Sequence, residues 1–269
     1  MDTDLLYLDW KKNFDSILTS LADKQVILLF SGGKDSSLAF DLLLRAASDY
    51  GFSFTAHGGA YPVHRYQQDE LRRLNAYWES RGAKIVWHKV AGSDEPLEKA
   101  ENPCKECQEL RRQKFSLFLR DHVKDWGKLV LVACYSLSDL VSYAVEHILA
   151  GFTNDLNTAQ QRENRAMETA QRFYPVLEMR EGYTVFRPLV YFDEETVRSY
   201  LREIKIPYLS VPCAYRSFRP KRILQDYYEK MGLRFDYHNL FQFMKNVQDF
   251  PLKHPYQAMN KEAYINRLF

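Results

Sequence analysis

The sequence predicts an α/β fold: a doubly wound, mostly parallel sheet with flanking helices and a small C-terminal helical extension. Three observations carry that prediction. Short apolar runs at 26–30, 52–56, 83–90, 129–134 and 183–190 alternate with stretches in which apolar residues recur at helical spacing. A Gly-rich turn, Ser31 to Ser36, joins the first run to the first long helical pattern. The chain has 269 residues, 46% of them apolar, which allows one large α/β domain with an appendage or two small domains.

Taken in order, Leu5, Leu8, Phe14, Ile17, Leu18 and Leu21 predict one helix over 5–21 against the edge of the main domain. The strand at 26–30 follows, then a helix carrying Leu38, Ala39, Leu42 and Leu43. A second strand over 52–56 ends in His57-Gly58-Gly59. A helix over 69–81 stops at Gly82, and a third strand over 83–90 has Ile85, Val86 and Trp87 at its centre. Residues 92–103 read as a loop and 104–124 as a helix. A fourth strand over 129–134 leads to a helix over 138–149. The polar stretch 153–172 fits either a solvated helix or a lid. A fifth strand over 183–190 precedes a helix over 193–204, with Asp193 as its cap. Residues 207–212 read as extended, 222–231 as helix, and the last thirty or so as a wrap over the core. Ligands of such sheets bind beyond the carboxyl ends of the strands, so Ser31, His57 and Cys134 are expected to share one cleft.

Charge and composition narrow the classes. Lys plus Arg number 37 against 35 Asp plus Glu, a mild balance that permits RNA binding without requiring it. No apolar run approaches the roughly 20 residues that span a bilayer. The N-terminus, with Asp2, Asp4 and Asp9, has no signal-peptide pattern, so the expectation is a cytoplasmic protein without a membrane partner. Four cysteines in a reducing compartment suggest metal or catalysis before disulfides.

The turn Ser31-Gly32-Gly33-Lys34-Asp35-Ser36 has a clear physical use. Glycines open backbone angles closed to other residues and keep Cβ atoms out of a ligand's way. Asp35 or Ser36 is expected to cap the next helix, whose first N–H groups favour an anion. Lys34 adds a mobile positive charge. The bland alternative is a strand-to-helix turn with a good cap.

Cys104 and Cys107 form a CxxC pair at a helix entrance, and Cys213 follows Val211-Pro212. A CxxC pair plus a third cysteine can hold three irons of a 4Fe-4S cluster and leave the fourth iron open. Four-thiolate zinc needs a second CxxC, which the chain lacks. A dithiol redox pair is the other reading. Cys134 is a candidate fourth ligand, but it ends an apolar strand, where buried free cysteine is common.

The six turn residues resemble the pyrophosphate loop of the ATP pyrophosphatase superfamily, whose members cleave ATP between the α and β phosphates and adenylate a carbonyl oxygen. The order of further motifs narrows the resemblance. After the CxxC come Leu110-Arg111-Arg112, then Arg187-Pro188-Leu189, Ile206-Pro207 and Pro212-Cys213. Over about 24–231 this series resembles the 2-thiocytidine tRNA sulfurtransferase family and its thiouridine-forming cousins. The resemblance implies an adenine nucleotide alpha hydrolase-like fold, with a helix over 1–23, the nucleotide-binding domain over 24–212 and an extension over 213–269 that closes the cluster and meets the acceptor. It implies ATP held by Ser31, Gly32, Gly33, Lys34, Asp35, Ser36 and His57, with Asp35 placing Mg2+ and Lys34 offsetting charge on the pyrophosphate. It also implies a 4Fe-4S cluster on Cys104, Cys107 and Cys213.

The family's Gly-His-His-x-Asp-Asp type motif is represented here by Cys134 to Asp139, where only the last acid, Asp139, survives as a catalytic candidate. The implied partners are tRNA or a small nucleobase-like acceptor, a sulfur donor (sulfide or a cysteine desulfurase) and a second copy of the chain. Arg216, Arg219, Lys221 and Arg222, with Tyr215 and Phe218, form the candidate RNA footprint, the alternative being a solvated helix start. Rival functions are a cluster-free adenylating amide ligase, a desulfidase and a non-catalytic RNA-binding or sulfur-trafficking protein. The sulfurtransferase reading requires the three thiols to converge beside the phosphate cradle.

Overall fold

The computed structural model describes residues 1–60, 67–89, 94–149, 169–209, 213–218, 220–232 and 236–248. Its centre is a six-stranded sheet in the order β3-β2-β1-β4-β6-β5. The strands are β1 (Gln25–Phe30), β2 (Phe54–Ala60), β3 (Ile85–Lys89), β4 (Leu129–Val132), β5 (Val176–Glu178) and β6 (Thr184–Phe186). All neighbouring pairs are parallel except β5 with β6. β4 is apolar throughout, and β1 is apolar after Gln25, because helices cover both faces of a parallel sheet.

The period of two along β1 sorts its side chains between two cores. Val26, Leu28 and Phe30 join the core beneath α3 (Lys34–Tyr50) and α4 (Gln68–Glu79). Ile27 packs on the opposite face with Phe118 and Leu119 of α6 (Pro103–His122), and Leu29 lies against that second core. The chain runs outward from β1 to β2 and β3, then returns to lay β4 on the other side of β1. Strand order therefore reverses at β1 and β4, which places a crevice at their carboxyl ends.

The N-terminal stretch forms two helices, α1 (Thr3–Asn13) and α2 (Asp15–Thr19), where the sequence predicted one. Phe14 caps both and buries its ring, so continuity gives way to packing. Tyr7, Trp10, Phe14, Leu18 and Leu21 belong to the same core as α3. Trp10 donates from Nε1 to the carbonyl of Pro188 at 2.8 Å. The second strand continues through His57-Gly58-Gly59 instead of ending before it, because that run pairs with Val86, Trp87 and His88.

Two short elements escaped the periodicity: α5 (Glu95–Glu98), inside the expected loop, and the antiparallel edge strand β5. The fifth predicted strand is shorter than expected, because Arg187-Pro188-Leu189 turns away after Phe186. Arg187 is fully buried and donates from Nη1 to the carbonyls of Gln171 (3.2 Å) and Tyr174 (2.8 Å). This arginine ties the start of β5 to the end of β6.

Helix α7 spans Leu137–Leu149, α8 Glu194–Glu203, α9 Pro220–Lys230 and α10 Tyr237–Gln248. Asp193 caps α8 as expected, its carboxylate accepting from the Thr196 N–H at 2.7 Å. Most of the polar stretch 153–172, the segment 210–212 and the chain after residue 248 lie outside the described residues. No described helix is long and apolar enough to cross a membrane.

Candidate functional site

The glycine-rich turn sits at the carboxyl end of β1, where the topology requires it. Gly32 has φ +74°, a conformation that L side chains rarely adopt. Its carbonyl accepts from the Leu209 N–H at 2.7 Å, which fastens the turn to the segment after α8. Gly33 has extended backbone and is the N-cap of α3, and no side chain caps that helix. The expected Asp35 or Ser36 cap is therefore corrected. Ser36 Oγ donates to the Gly33 carbonyl at 3.0 Å and lies 3.0 Å from Ser31 Oγ, which accepts from the Gly33 N–H at 3.3 Å. These hydroxyls are spent on holding the turn, so the first N–H groups of α3 keep their anion-binding character. Lys34 Nζ reaches both carboxylate oxygens of Asp35, at 2.9 and 2.7 Å. The lysine and the aspartate form one partly buried pair at the helix start.

Beside the turn lies the end of β4. Cys134 is half-buried, with its thiol 3.7 Å from the Leu29 carbonyl. Burial pushes its pKa up strongly, and the carboxylates of Asp35 and Asp139 push it further. These shifts keep the thiol protonated in the absence of a bound cation, which suits a packing residue. The same effect shows that Asp35 and Asp139 both bear on this end of the crevice. Asp139 also has a structural task. Its Oδ2 accepts from the N–H and hydroxyl of Ser136, each at 3.2 Å, a capping-box arrangement at the start of α7.

On the α6 face of the sheet a cleft of about 320 Å³ opens at Ser31. His57 lines it from β2 and His88 from β3, while Arg111, Lys114, Phe118 and His122 line it from α6. His57 Nδ1 and His88 Nε2 lie 3.0 Å apart, with their rings stacked at 5.2 Å. Phe118 packs on both imidazoles, at 4.4 and 4.6 Å between centroids. Burial lowers the His57 pKa to about 4, with help from neighbouring His88 and His122. Burial and His122 lower that of His88. Both rings are neutral near pH 7. His57 was legible in the sequence from its place after a strand. His88 and His122 were not singled out, although two patterns could have found them. His88 stands two residues beyond the β2-facing Val86, and His122 follows Phe118 by one helical turn.

The cysteine pair occupies the first turn of α6, entered through Asn102, whose side chain accepts from the Lys105 N–H. Cys104 Sγ donates to the Tyr215 carbonyl at 3.4 Å. Cys104 and the turn after Cys213 therefore meet across a separation of more than a hundred residues. None of the three cysteines is in a disulfide, and all three are half-buried. Among the described residues, no group of three or more His, Cys, Asp or Glu side chains is already gathered to hold a metal ion. The donor type suits a three-thiolate site, while the three side chains are not gathered into one here. Of the candidate RNA footprint, Phe218 is exposed and Tyr215 half-buried. Arg219 and the side chains of Arg216, Lys221 and Arg222 lie outside the described residues.

No family model and no curated protein matches the sequence. Solved structures do match. The U34-tRNA thiolase NcsA from Methanococcus maripaludis with its [4Fe-4S] cluster superposes with a TM-score of 0.61 at 17% identity, over 95% of this chain and 87% of that one. NMN synthetase from Francisella tularensis gives a TM-score of 0.46 at 13% identity, over 97% of this chain and 92% of that one. The NH3-dependent NAD synthetase from Campylobacter jejuni gives 0.46 at 14%, over 95% and 98%. The first likeness speaks to fold alone, and the other two are too distant to carry an argument. With its strand order, single antiparallel edge and flanking helices, this chain has an adenine nucleotide alpha hydrolase-like α/β fold.

Proposed function

We propose that this protein is an ATP-dependent sulfurtransferase that adenylates a nucleobase carbonyl in tRNA and replaces its oxygen with sulfur. The observation that carries the reading is the contact of Cys104 Sγ with the Tyr215 carbonyl, which brings the segment of Cys213 to the CxxC helix turn. The fold shared with a cluster-bearing tRNA thiolase supports it, as does the motif order read from the sequence.

In this reading Cys104, Cys107 and Cys213 hold a 4Fe-4S cluster, and Asp35 holds Mg2+ beside the nucleotide. An iron left without a fourth thiolate supplies a place for sulfide. The α3 N–H groups receive the phosphate chain. Lys34 exchanges its carboxylate partner for the phosphates and offsets the charge that builds as pyrophosphate leaves. The cleft beside His57, which opens at Ser31, takes part of the same nucleotide. The base carbonyl oxygen bonds to the α-phosphorus as pyrophosphate departs, and a sulfur nucleophile then displaces AMP. Activation is needed because a ring carbonyl oxygen leaves poorly until it becomes a phosphate ester.

The test is anaerobic reconstitution followed by iron analysis and assay of ATP cleavage with bulk tRNA or free bases, with mass spectrometry of the product. The expected result is AMP formation and thiolated tRNA, both lost with the iron in Cys213→Ser. Thiolation of free bases but not of tRNA would move the acceptor to a small heterocycle. A colourless, iron-free protein that adenylates and forms an amide would overturn the reading.

A further inference from the structure

The histidine cleft carries more charge chemistry than nucleoside binding needs. His57 and His88 share one hydrogen bond between ring nitrogens. A neutral pair holds two N–H groups, one inside the shared bond and one outside it. A single outward ring nitrogen is left as a base. His122 is set differently. Its Nδ1 lies 2.9 Å from the Phe118 carbonyl, which can only accept, so Nδ1 carries a proton and is committed to that contact.

Among the described residues, the charged groups that line the cleft are Arg111, Lys114 and Asp121, all on α6, and the turn after β1 adds the neutral Ser31. Adding a proton to the empty cleft therefore stacks positive charge against positive charge in a half-buried space. An arriving anion removes that obstacle.

We propose that this cleft is a proton-linked anion site: a phosphate-like group enters with one proton, taken from solvent by the outward nitrogen of the His57–His88 pair. The inference rests on the nucleotide reading only in that a ligand at Ser31 brings an anionic end to the cleft. The chemistry recognised is a compact, multiply charged oxyanion, seated between the Arg111 and Lys114 side of α6 and the imidazole pair. Linkage sets the sign. The pair's pKa rises on binding, so affinity increases as pH falls below that of the bound form.

The probe is inorganic sulfate, whose charge is constant between pH 5 and pH 8. Binding to the intact protein is measured by calorimetry in two buffers of different ionisation heat. The expected result is uptake of about one proton and affinity that rises up to about tenfold per pH unit on acidification. The double variant His57→Gln/His88→Gln, which removes both outward ring nitrogens while keeping hydrogen-bonding side chains, is expected to flatten that slope. Imidazole NMR of the unmodified protein covers the case in which the variant fails to fold: sulfate must raise the titration midpoint of His57 or His88. Flat affinity across the range, or an unchanged slope in the variant, overturns the proposal, since sulfate held by the α3 N-terminus alone would behave so. Adenosine, which is uncharged, separates the two readings. Binding without proton uptake supports the proton linkage to the anion, and binding with the same uptake overturns it. Failure of adenosine to bind overturns the nucleotide reading and leaves the sulfate result to decide this one.

Discussion

Replacing Gly32 with alanine is expected to loosen the turn on which the phosphate cradle depends, by two separable routes. A Cβ built on Gly32 would sit 2.4 Å from Leu209 Cδ1 and 2.9 Å from Leu209 Cγ. The second of these is a branch point close to the backbone, so rotating the leucine tip does not clear it. Overpacking of this kind costs about 1–3 kcal/mol. The left-handed conformation at φ +74° adds about 1–2 kcal/mol for an L residue. Reduced freedom of the unfolded chain returns about 0.4–1 kcal/mol. The net is a loss of roughly 2–4 kcal/mol. For a chain of this size it lowers Tm by about 4–8 °C, at about 2 °C per kcal/mol.

Gly33→Ala is the control, because Gly33 is extended and its Cβ would meet only Ser31 Oγ at 3.4 Å. Its Tm is expected to stay within about 2 °C of the parent. The double variant Gly32→Ala/Leu209→Ala tests the steric part, since relief of the clash makes the two changes less than additive. Thermal unfolding followed by circular dichroism reads the parent, these variants and the single Leu209→Ala variant that completes the cycle. A Gly32→Ala Tm within 1 °C of the parent would refute the packing of Leu209 on the turn and, with it, the claim that this segment sets the cradle.

Other expectations follow from the same geometry. Arg187→Met leaves the Gln171 and Tyr174 carbonyls without their buried donor, and urea denaturation is expected to show a loss of about 2–4 kcal/mol. His57 has a folded-state pKa of about 4 against 6.5 unfolded, so its stabilising contribution is complete above pH 6.5 and is lost as pH falls toward 4. The full shift corresponds to about 3 kcal/mol, which solvent around a half-buried ring reduces. His57→Gln should accordingly flatten the acid limb of a stability–pH curve, and an unchanged limb would count against a neutral buried imidazole. Asp139→Asn weakens the capping box by about 1 kcal/mol or less. A fall in AMP formation of more than tenfold in a variant of near-parent Tm would assign Asp139 to chemistry, and unchanged turnover would leave it a helix cap. Cys134→Ala is expected to leave reconstituted iron content unaltered, while Cys104→Ser removes it.

The sequence made the sheet legible because parallel strands buried on both faces read as apolar runs, and β1, β3 and β4 show them plainly. β2 was cut short because His57-Gly58-Gly59 looks like a strand end. Only pairing with β3, a contact distant in sequence, keeps it extended. β5 was invisible for a similar reason, since its three residues are strand only because β6 lies beside them. At the site, the glycine turn and the cysteine pair were legible as local motifs. The histidine cleft was not, because its members come from β2, β3 and the far end of α6, and no local spacing links them. The mistaken cap at Asp35 or Ser36 has a local cause. Both side chains have nearer partners, Lys34 for one and the Gly33 carbonyl for the other.

Helix α6 carries Cys104 and Cys107 in its first turn and His122 at its last residue, with Arg111, Lys114 and Phe118 between. At 1.5 Å per residue it works as a rod about 30 Å long, pinned mid-sheet by Phe118 and Leu119. Phe118 packs on both imidazoles of the cleft, whereas Cys104 lies fourteen residues nearer the N-terminus of the same helix. A tilt of this lever therefore pivots at its histidine end and swings the cysteine end on an arm of about 20 Å, so motion is large where the thiols sit and small where the imidazoles do.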